Sequence, residues 1–158
     1  GILHRYFPDF DAFLAAFVLS HIERLDARCD QLRASAGTGD VGDNVAFALA
    51  DALDPTATQI VSLVCSRHPL LERLRLTTPA GIPLLAEITK MIAIYLTAER
   101  GLGRIALAAD VDTLAVMLVG GAHLLAAPEK NATADGIRDL VTLTIRTVAQ
   151  PLQRPVRT

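Results

Sequence analysis

Apolar residues fill the stretch from Leu114 to Ala127, which contains no formally charged side chain. A surface helix has a polar face, whereas a helix that is apolar on every side is covered on every side. The stretch is too short to cross a bilayer, which takes about 20 residues. We therefore expect a helix that packs on its own domain with one face and on a second subunit with the other, and Gly120-Gly121 would let another backbone approach closely. The alternative is the central helix of a monomeric bundle.

Helical periodicity continues through most of the chain, because apolar residues recur at spacings of three and four. Prolines and glycines separate the segments, and Asp9 and either Asp110 or Asp112 are placed to cap the helices that follow them. The predicted helices cover residues 9–33, 41–53, 56–67, a turn or two from 69, a stretch from about 83 to 100, 110–127 and 133–150. The Gly-rich segment 34–42 is interpreted as a simple connector, since it lacks a phosphate-loop pattern. The fold class is predicted to be all-α.

Composition limits the class of protein. The chain has 158 residues, of which 51% are hydrophobic and 20% charged, so it is long and apolar enough for one domain with a sizeable core. Its net charge of −2 means that any contact with DNA would need a local basic patch. Cys29 and Cys65 have no metal-binding spacing and are expected to be small buried thiols. Without a signal peptide or transmembrane run, the expected location is cytoplasmic.

Catalytic and metal motifs are missing from the sequence. It contains neither HExxH nor the Glu-x-x-His of di-iron bundles, and its four histidines are scattered. His123 lies in the apolar helix, where a lone histidine is more typical of a hydrogen-bonded core or interface residue than of a ligand. We therefore expect no enzyme activity, no metal and no cofactor.

The beginning of the chain carries a more specific motif. Residues 1–8 read G-I-L-H-R-Y-F-P, and a Leu-rich helical pattern follows. This order resembles the end of the helix-turn-helix in TetR-type transcriptional regulators, where it leads into the long helix that links the DNA-reading head to the ligand domain. The resemblance implies that residues 1–8 end a DNA-binding head and residues 9–158 form a ligand-binding and dimerisation domain.

The same motif suggests DNA contacts at His4 and Tyr6, which would bind phosphate. His4 stands where the family usually has Tyr and Phe10 where it has Lys; a histidine still donates a hydrogen bond, but a phenylalanine does not. Without the family pattern, these polar residues would be interpreted as a solvated turn. The family's other head helices would precede Gly1, so we expect base recognition to lie largely outside this sequence.

A second similarity lies further along the chain. Gly103-Arg104-Ile105, Asp110-Val111-Asp112 and the late glycines Gly120-Gly121 are similar to the family pattern before and within its first dimerisation helix. The resemblance implies a TetR-like helical bundle whose two C-terminal helices form a dimeric four-helix bundle. It also implies a homodimeric regulator, usually a repressor, that a small-molecule effector releases from double-stranded operator DNA.

Two sets of site residues follow from this resemblance and from the helical spacing. A pocket with mostly apolar walls would suit a largely hydrophobic effector held by one or two hydrogen bonds, with Asn44 and His123 as further polar groups nearby. For each single residue, ordinary core is the alternative. The predicted ligand-binding residues are Phe17, Ile22, Leu25, Cys29, Phe47, Asp51, Leu63, Met91, Tyr95 and Met117. The predicted dimer-interface residues are Leu114, Leu118, Gly120, Gly121, Leu125, Ile137, Leu140, Val141, Thr144, Ile145 and Val148.

Two other functions are compatible with the same sequence. One is a helical enzyme or small-molecule carrier with no role on DNA. The other is a dimerisation module that binds no effector. The identity of the effector, the operator sequence and the sign of regulation are left open by the sequence.

Overall fold

The computed structural model describes residues 9–77, 81–126 and 134–149. These residues form helices joined by short connections, together with one isolated antiparallel bridge between Ile105 and Ala149. The helices are α1 (Phe10–Ala34), α2 (Val41–Ala52), α3 (Pro55–Ser66), α4 (His68–Arg75), α5 (Pro83–Gly101), α6 (Val111–Ala126) and α7 (Ala134–Ile145). The all-α fold class is therefore confirmed. The predicted DNA contacts at His4 and Tyr6 lie outside the described residues.

Local signals set the ends of most helices. Asp9 Oδ1 accepts a hydrogen bond from the Ala12 N–H at 2.7 Å, and Asp110 Oδ1 accepts one from Thr113 N–H at 3.1 Å. Each carboxylate thus satisfies a backbone donor that has no partner within the helix. The Asp9 cap was predicted, and Asp110 is one of the two residues, with Asp112, that were expected to cap α6. Helices α1 to α6 begin and end within about two residues of the expected positions.

The last helix is shorter than predicted. It ends at Ile145 rather than near Gln150. The Val148 carbonyl accepts a hydrogen bond from the Ala106 N–H at 2.9 Å, and Ala149 pairs with Ile105. The chain leaves the helix because its backbone bonds to the connection between α5 and α6, so Val148 is not on a helical stripe.

Each of five helices packs against the next in a series. Helix α1 lies against α5, α5 against α6, α6 against α7, and α7 against α2. The buried hydrophobic core between them is aliphatic except for Tyr95 and Met91, and the charged side chain of Glu99 is fully buried as well. Among the described helices, none has the length and apolarity that crossing a bilayer requires.

Helix α6 is covered on one side only. Ala115, Leu118 and Ala122 are fully buried, whereas Val116 and Leu124 are 61% and 67% exposed. The chain therefore does not supply the all-round cover that its apolar sequence predicts. We name the uncovered stripe the outer face of α6 and define it as Val116, Met117, Gly120 and Leu124.

The two glycines of α6 have different surroundings. A Cβ built on Gly121 would lie 2.7 Å from Leu140 Cδ2, so Gly121 allows α6 to approach α7 of the same chain. A Cβ on Gly120 would meet no atom within 4 Å. The close approach expected from a second subunit at Gly121 is thus made within the chain, and only Gly120 has open space.

Two smaller expectations need correction. Cys65 is exposed and Cys29 is half-buried, so neither is the fully buried thiol predicted. His123 is half-buried, and its Nδ1 has no hydrogen-bond partner among the residues that the structure describes. Helix periodicity placed these side chains on α3, α1 and α6, but it did not say which neighbours each would meet.

Candidate ligand-binding site

A cavity of about 180 Å³ lies between α1, α2 and α5. The α1 and α2 residues that line it recur at spacings of three and four, so each of these helices presents one face to the cavity. Met91 closes it from α5. The lining residues are Arg28, Gln31, Leu32, Ser35, Asn44, Phe47, Ala48, Asp51 and Met91.

An ion pair joins α1 to α2 at one end of the cavity. Arg28 Nε lies 2.9 Å from Asp51 Oδ2, and Arg28 Nη1 donates to the Asp51 carbonyl oxygen at 3.2 Å. Both side chains are partly exposed, so the pair adds little to stability. Within the site, the positive charge of Arg28 and the negative charge of Asp51 neutralise each other. Phe47 lies beside this pair along α2 and is 76% exposed.

A polar network begins at the other end of the cavity, at Asn44. Its Nδ2 donates to the Tyr95 hydroxyl and to the Thr38 carbonyl oxygen, each at 2.9 Å. The Tyr95 hydroxyl in turn donates to Glu99 Oε1 at 2.6 Å. Because the Tyr95 proton is directed to Glu99, the hydroxyl must accept from Asn44, which fixes the orientation of the amide.

Glu99 is the centre of this network and is fully buried. Its carboxylate accepts from Arg104 Nη1 at 3.2 Å and from the Gly37 N–H at 3.3 Å. Arg104 also donates to the carbonyl oxygens of Thr38 and Gly39. Burial, and then the hydrogen bond to Glu99, raise the pKa of Tyr95, so its hydroxyl remains protonated as the network requires.

The network orders the Gly-rich segment between α1 and α2. Gly37 has φ +82°, a left-handed backbone conformation that residues with a side chain rarely adopt, and its N–H donates a hydrogen bond to the Glu99 carboxylate. The segment interpreted as a simple connector is therefore bound to the end of α5 by a buried carboxylate. This contact also fixes the chain that leaves α1.

The cavity brings together some of the predicted ligand-binding residues. Phe47, Asp51 and Met91 line it, whereas Tyr95 is fully buried, does not line it and is connected to it only through the hydrogen bond from Asn44. The three lining side chains come from α2 and α5, two of the three helices around the cavity.

The other predicted ligand-binding residues lie elsewhere. Phe17 packs against His21, with ring centroids 4.7 Å apart, and Leu25 lines a separate space of about 110 Å³. Met117 lies on the outer face of α6 and is 59% exposed. Three further members are half-buried and do not line the cavity: Ile22, Cys29 and Leu63.

The predicted interface residues divide in a similar way. Five of them belong to the chain's own core, with less than a tenth of their surface exposed: Leu114, Leu118, Ile137, Val141 and Ile145. Leu125, Leu140 and Thr144 are half-buried, and Gly121 faces Leu140. Of the predicted set, Gly120 lies on the outer face of α6. On α6 and α7, the large apolar side chains that are exposed are Val116, Met117 and Leu124 of that face, together with Leu143 of α7, which is 71% exposed.

Sequence reasoning missed Glu99 and Arg104. The signal for Glu99 was present, because it continues the buried stripe of α5 that runs through Ile88, Ile92 and Tyr95. A charged residue at a core position of a helix indicates a buried partner. Arg104 follows only five residues later, so it was the nearest candidate for that partner.

The described ranges contain no group of three or more His, Cys, Asp or Glu side chains that could hold a metal ion. Comparison of the chain with protein-family models, with curated proteins and with solved structures finds no match.

Proposed function

We propose that this chain is the ligand-binding and dimerisation domain of a homodimeric transcriptional regulator, a repressor whose hold on operator DNA is released by a small molecule. The observation that carries the proposal is the cavity between α1, α2 and α5. One of its walls is α1, the helix that the TetR resemblance identifies as the link to a DNA-reading head. A ligand in this cavity would contact the linking helix directly.

The cavity suits such a role because its walls belong to three different helices. An effector shifts an equilibrium only by the difference in its affinity for the two states. Since Arg28, Gln31 and Leu32 of α1 line the cavity, a change in the position of α1 alters the contacts of a bound ligand. Two heads on one dimer must match half-sites about 34 Å apart, so a small tilt of α1 would weaken DNA binding.

The outer face of α6 supports the dimeric part of the proposal. Val116, Met117 and Leu124 are each about three-fifths or more exposed and recur along one side of the helix. Contiguous exposed apolar residues indicate an interaction surface. Gly120 lies between them with open space above it, which would let a second α6 come close. The same patch meeting its copy gives a closed two-fold dimer.

The test uses the product of the complete open reading frame that contains these residues. Bound DNA fragments would be selected from the genome, and their affinity would be measured by fluorescence anisotropy with and without small molecules that raise the melting temperature. We expect the effector to weaken specific DNA binding. Ala48→Leu, which fills the cavity, should abolish the effector response. Ala27→Leu is the matched control, because Ala27 is exposed on α1 and does not line the cavity.

The outcome distinguishes the regulator from the other functions. Ligand binding without any specific DNA binding would identify a carrier and overturn the proposal. Specific DNA binding that no ligand alters would leave only a dimerisation role for this domain and would also contradict it.

A further inference from the structure

We propose that the occupant of the cavity between α1, α2 and α5 is an uncharged compound of about one six-membered ring that carries a single hydrogen-bond donor, of the phenol or cyclic-alcohol class. The side chain that recognises the donor is Asn44, through its Oδ1. The inference builds on the proposed function, because it names the ligand class of the same site.

The size of the ligand follows from the volume of the cavity. It measures about 180 Å³. An apolar cavity of roughly 150 Å³ takes up benzene, whereas pockets for drug-sized molecules span roughly 300–1,000 Å³. The space therefore fits one ring with a small substituent, and most of a steroid or a long acyl chain would extend out of it into solvent.

The apolar part of the ligand is set by the middle of the cavity. Leu32, Ala48 and Met91 form this part of the wall, and the flexible thioether of Met91 adapts to irregular shapes. Phe47 is a large aromatic side chain that remains 76% exposed while lining the cavity. A ring bound beside it would cover part of its exposed surface and offer an aromatic contact.

The donor on the ligand is set by Asn44. The Asn44 side chain donates two hydrogen bonds through Nδ2, and the position of the Tyr95 proton fixes this orientation of the amide. In the described part of the chain, Asn44 Oδ1 accepts no hydrogen bond, yet it is not among the atoms sealed from solvent. A ligand hydroxyl would donate to this oxygen in place of water, whereas a ligand with only acceptors would displace that water and leave the oxygen without a donor.

The ion pair between Arg28 and Asp51, at the end of the cavity away from Asn44, favours a ligand without charge. Arg28 and Asp51 are the charged residues that line the cavity, and they satisfy each other at 2.9 Å. A carboxylate ligand would lose its hydration and find its only cation already paired, and an amine would find the same at Asp51. A neutral ligand avoids both penalties.

The test titrates the chain with phenol, anisole, benzoate and decanoate and follows the backbone and side-chain amide resonances by two-dimensional NMR. We expect phenol to bind at a dissociation constant of about 1 mM or tighter. Anisole has the ring without the donor and should bind about tenfold more weakly. Benzoate and decanoate should bind more weakly than anisole.

Variants locate the effect. Asn44→Ala should reduce the affinity for phenol to that for anisole while changing the affinity for anisole by less than about twofold. Ala48→Leu should weaken both, and Ala27→Leu neither. The comparison of phenol with anisole on the unchanged chain tests the inference even where Asn44→Ala lowers stability.

Several results would overturn the inference: no binding of phenol, equal affinities for phenol and anisole, or tighter binding of benzoate or decanoate. If phenol binds as expected but no ligand alters DNA binding by the full product, the ligand class holds and the regulatory function fails. If a large or charged effector controls DNA binding, the regulatory function holds and the ligand class fails.

Discussion

Truncation of Leu124 tests the surface through which this chain is proposed to dimerise. Leu124 is 67% exposed on the outer face of α6, so its removal should leave the core of the single chain unchanged. Leu124→Ala deletes three carbon groups, each worth about 0.8 kcal/mol when fully buried. Together the three groups are worth about 2.4 kcal/mol. Because about two-thirds of Leu124 is still exposed in the single chain, a partner that covers it would gain about 1.6 kcal/mol.

A two-fold interface doubles the effect, because each subunit loses the same side chain. The dimer should be weakened by about 3 kcal/mol, which is roughly a two-hundredfold increase in its dissociation constant. This figure is a ceiling, since it takes Leu124 to be completely covered in the dimer. Leu76→Ala is the matched control, because Leu76 is 84% exposed at the end of α4, away from α6.

Analytical ultracentrifugation over a range of micromolar concentrations measures the effect, with circular dichroism as the check that each variant folds. We expect the parent chain and Leu76→Ala to remain dimers at concentrations where Leu124→Ala is mainly monomeric. A parent chain that is monomeric throughout would refute the reasoning. So would a Leu124→Ala variant with the dissociation constant of the parent.

Three further results are expected. In the Leu124→Ala background, where the dimer is weakened, Gly120→Ala should raise the free energy of unfolding in urea by about 0.5–1 kcal/mol, since its Cβ meets no atom of the same chain, whereas Gly121→Ala should gain less or lose stability. Replacing Glu99 by Ala should cost about 3–5 kcal/mol in the same assay, because Arg104 would keep a buried charge without its partner; a cost near zero would contradict that. The raised pKa of Tyr95 means that its contribution to stability is complete below its ordinary value of 10.0 and is lost as the pH rises through the higher folded value. Urea midpoints at about pH 8 and about pH 11 should therefore differ less in Tyr95→Phe than in the parent, and an equal difference would exclude this cause.

Local chemistry explains why the helices could be predicted from the sequence. Asp9 and Asp110 cap the helices they precede, and each bond spans only three residues. Pro55 and Pro83 lie in the first turns of their helices, where a missing N–H costs nothing. Such signals need no knowledge of the rest of the fold. The prediction of where α7 ends was wrong, because that end depends on the hydrogen bond from the Ala106 N–H to the Val148 carbonyl, which joins distant parts of the chain.

The candidate site depended on information that helical periodicity does not contain. Periodicity identifies a face of a helix but not the helix that covers it. Met117 was assigned to the pocket and lies on the outer face of α6, while Arg28 was not assigned and lines the cavity. The relation between α1 and α2 follows from how they pack, and the ion pair from Arg28 to Asp51 joins residues 23 positions apart.

The motif around Gly103 has a structural reason within this chain. Gly103 adopts φ +74° as the chain leaves α5, Arg104 turns back to pair with the buried carboxylate of Glu99, and Ile105 is 1% exposed in the core. Each residue type is thus required by the fold at its position: a left-handed turn, a buried cation and an apolar side chain. The motif therefore carries information about how the end of α5 is fixed to the segment that follows α1. It carries none about DNA or an effector; the features that support an effector and a dimer are the cavity and the outer face of α6.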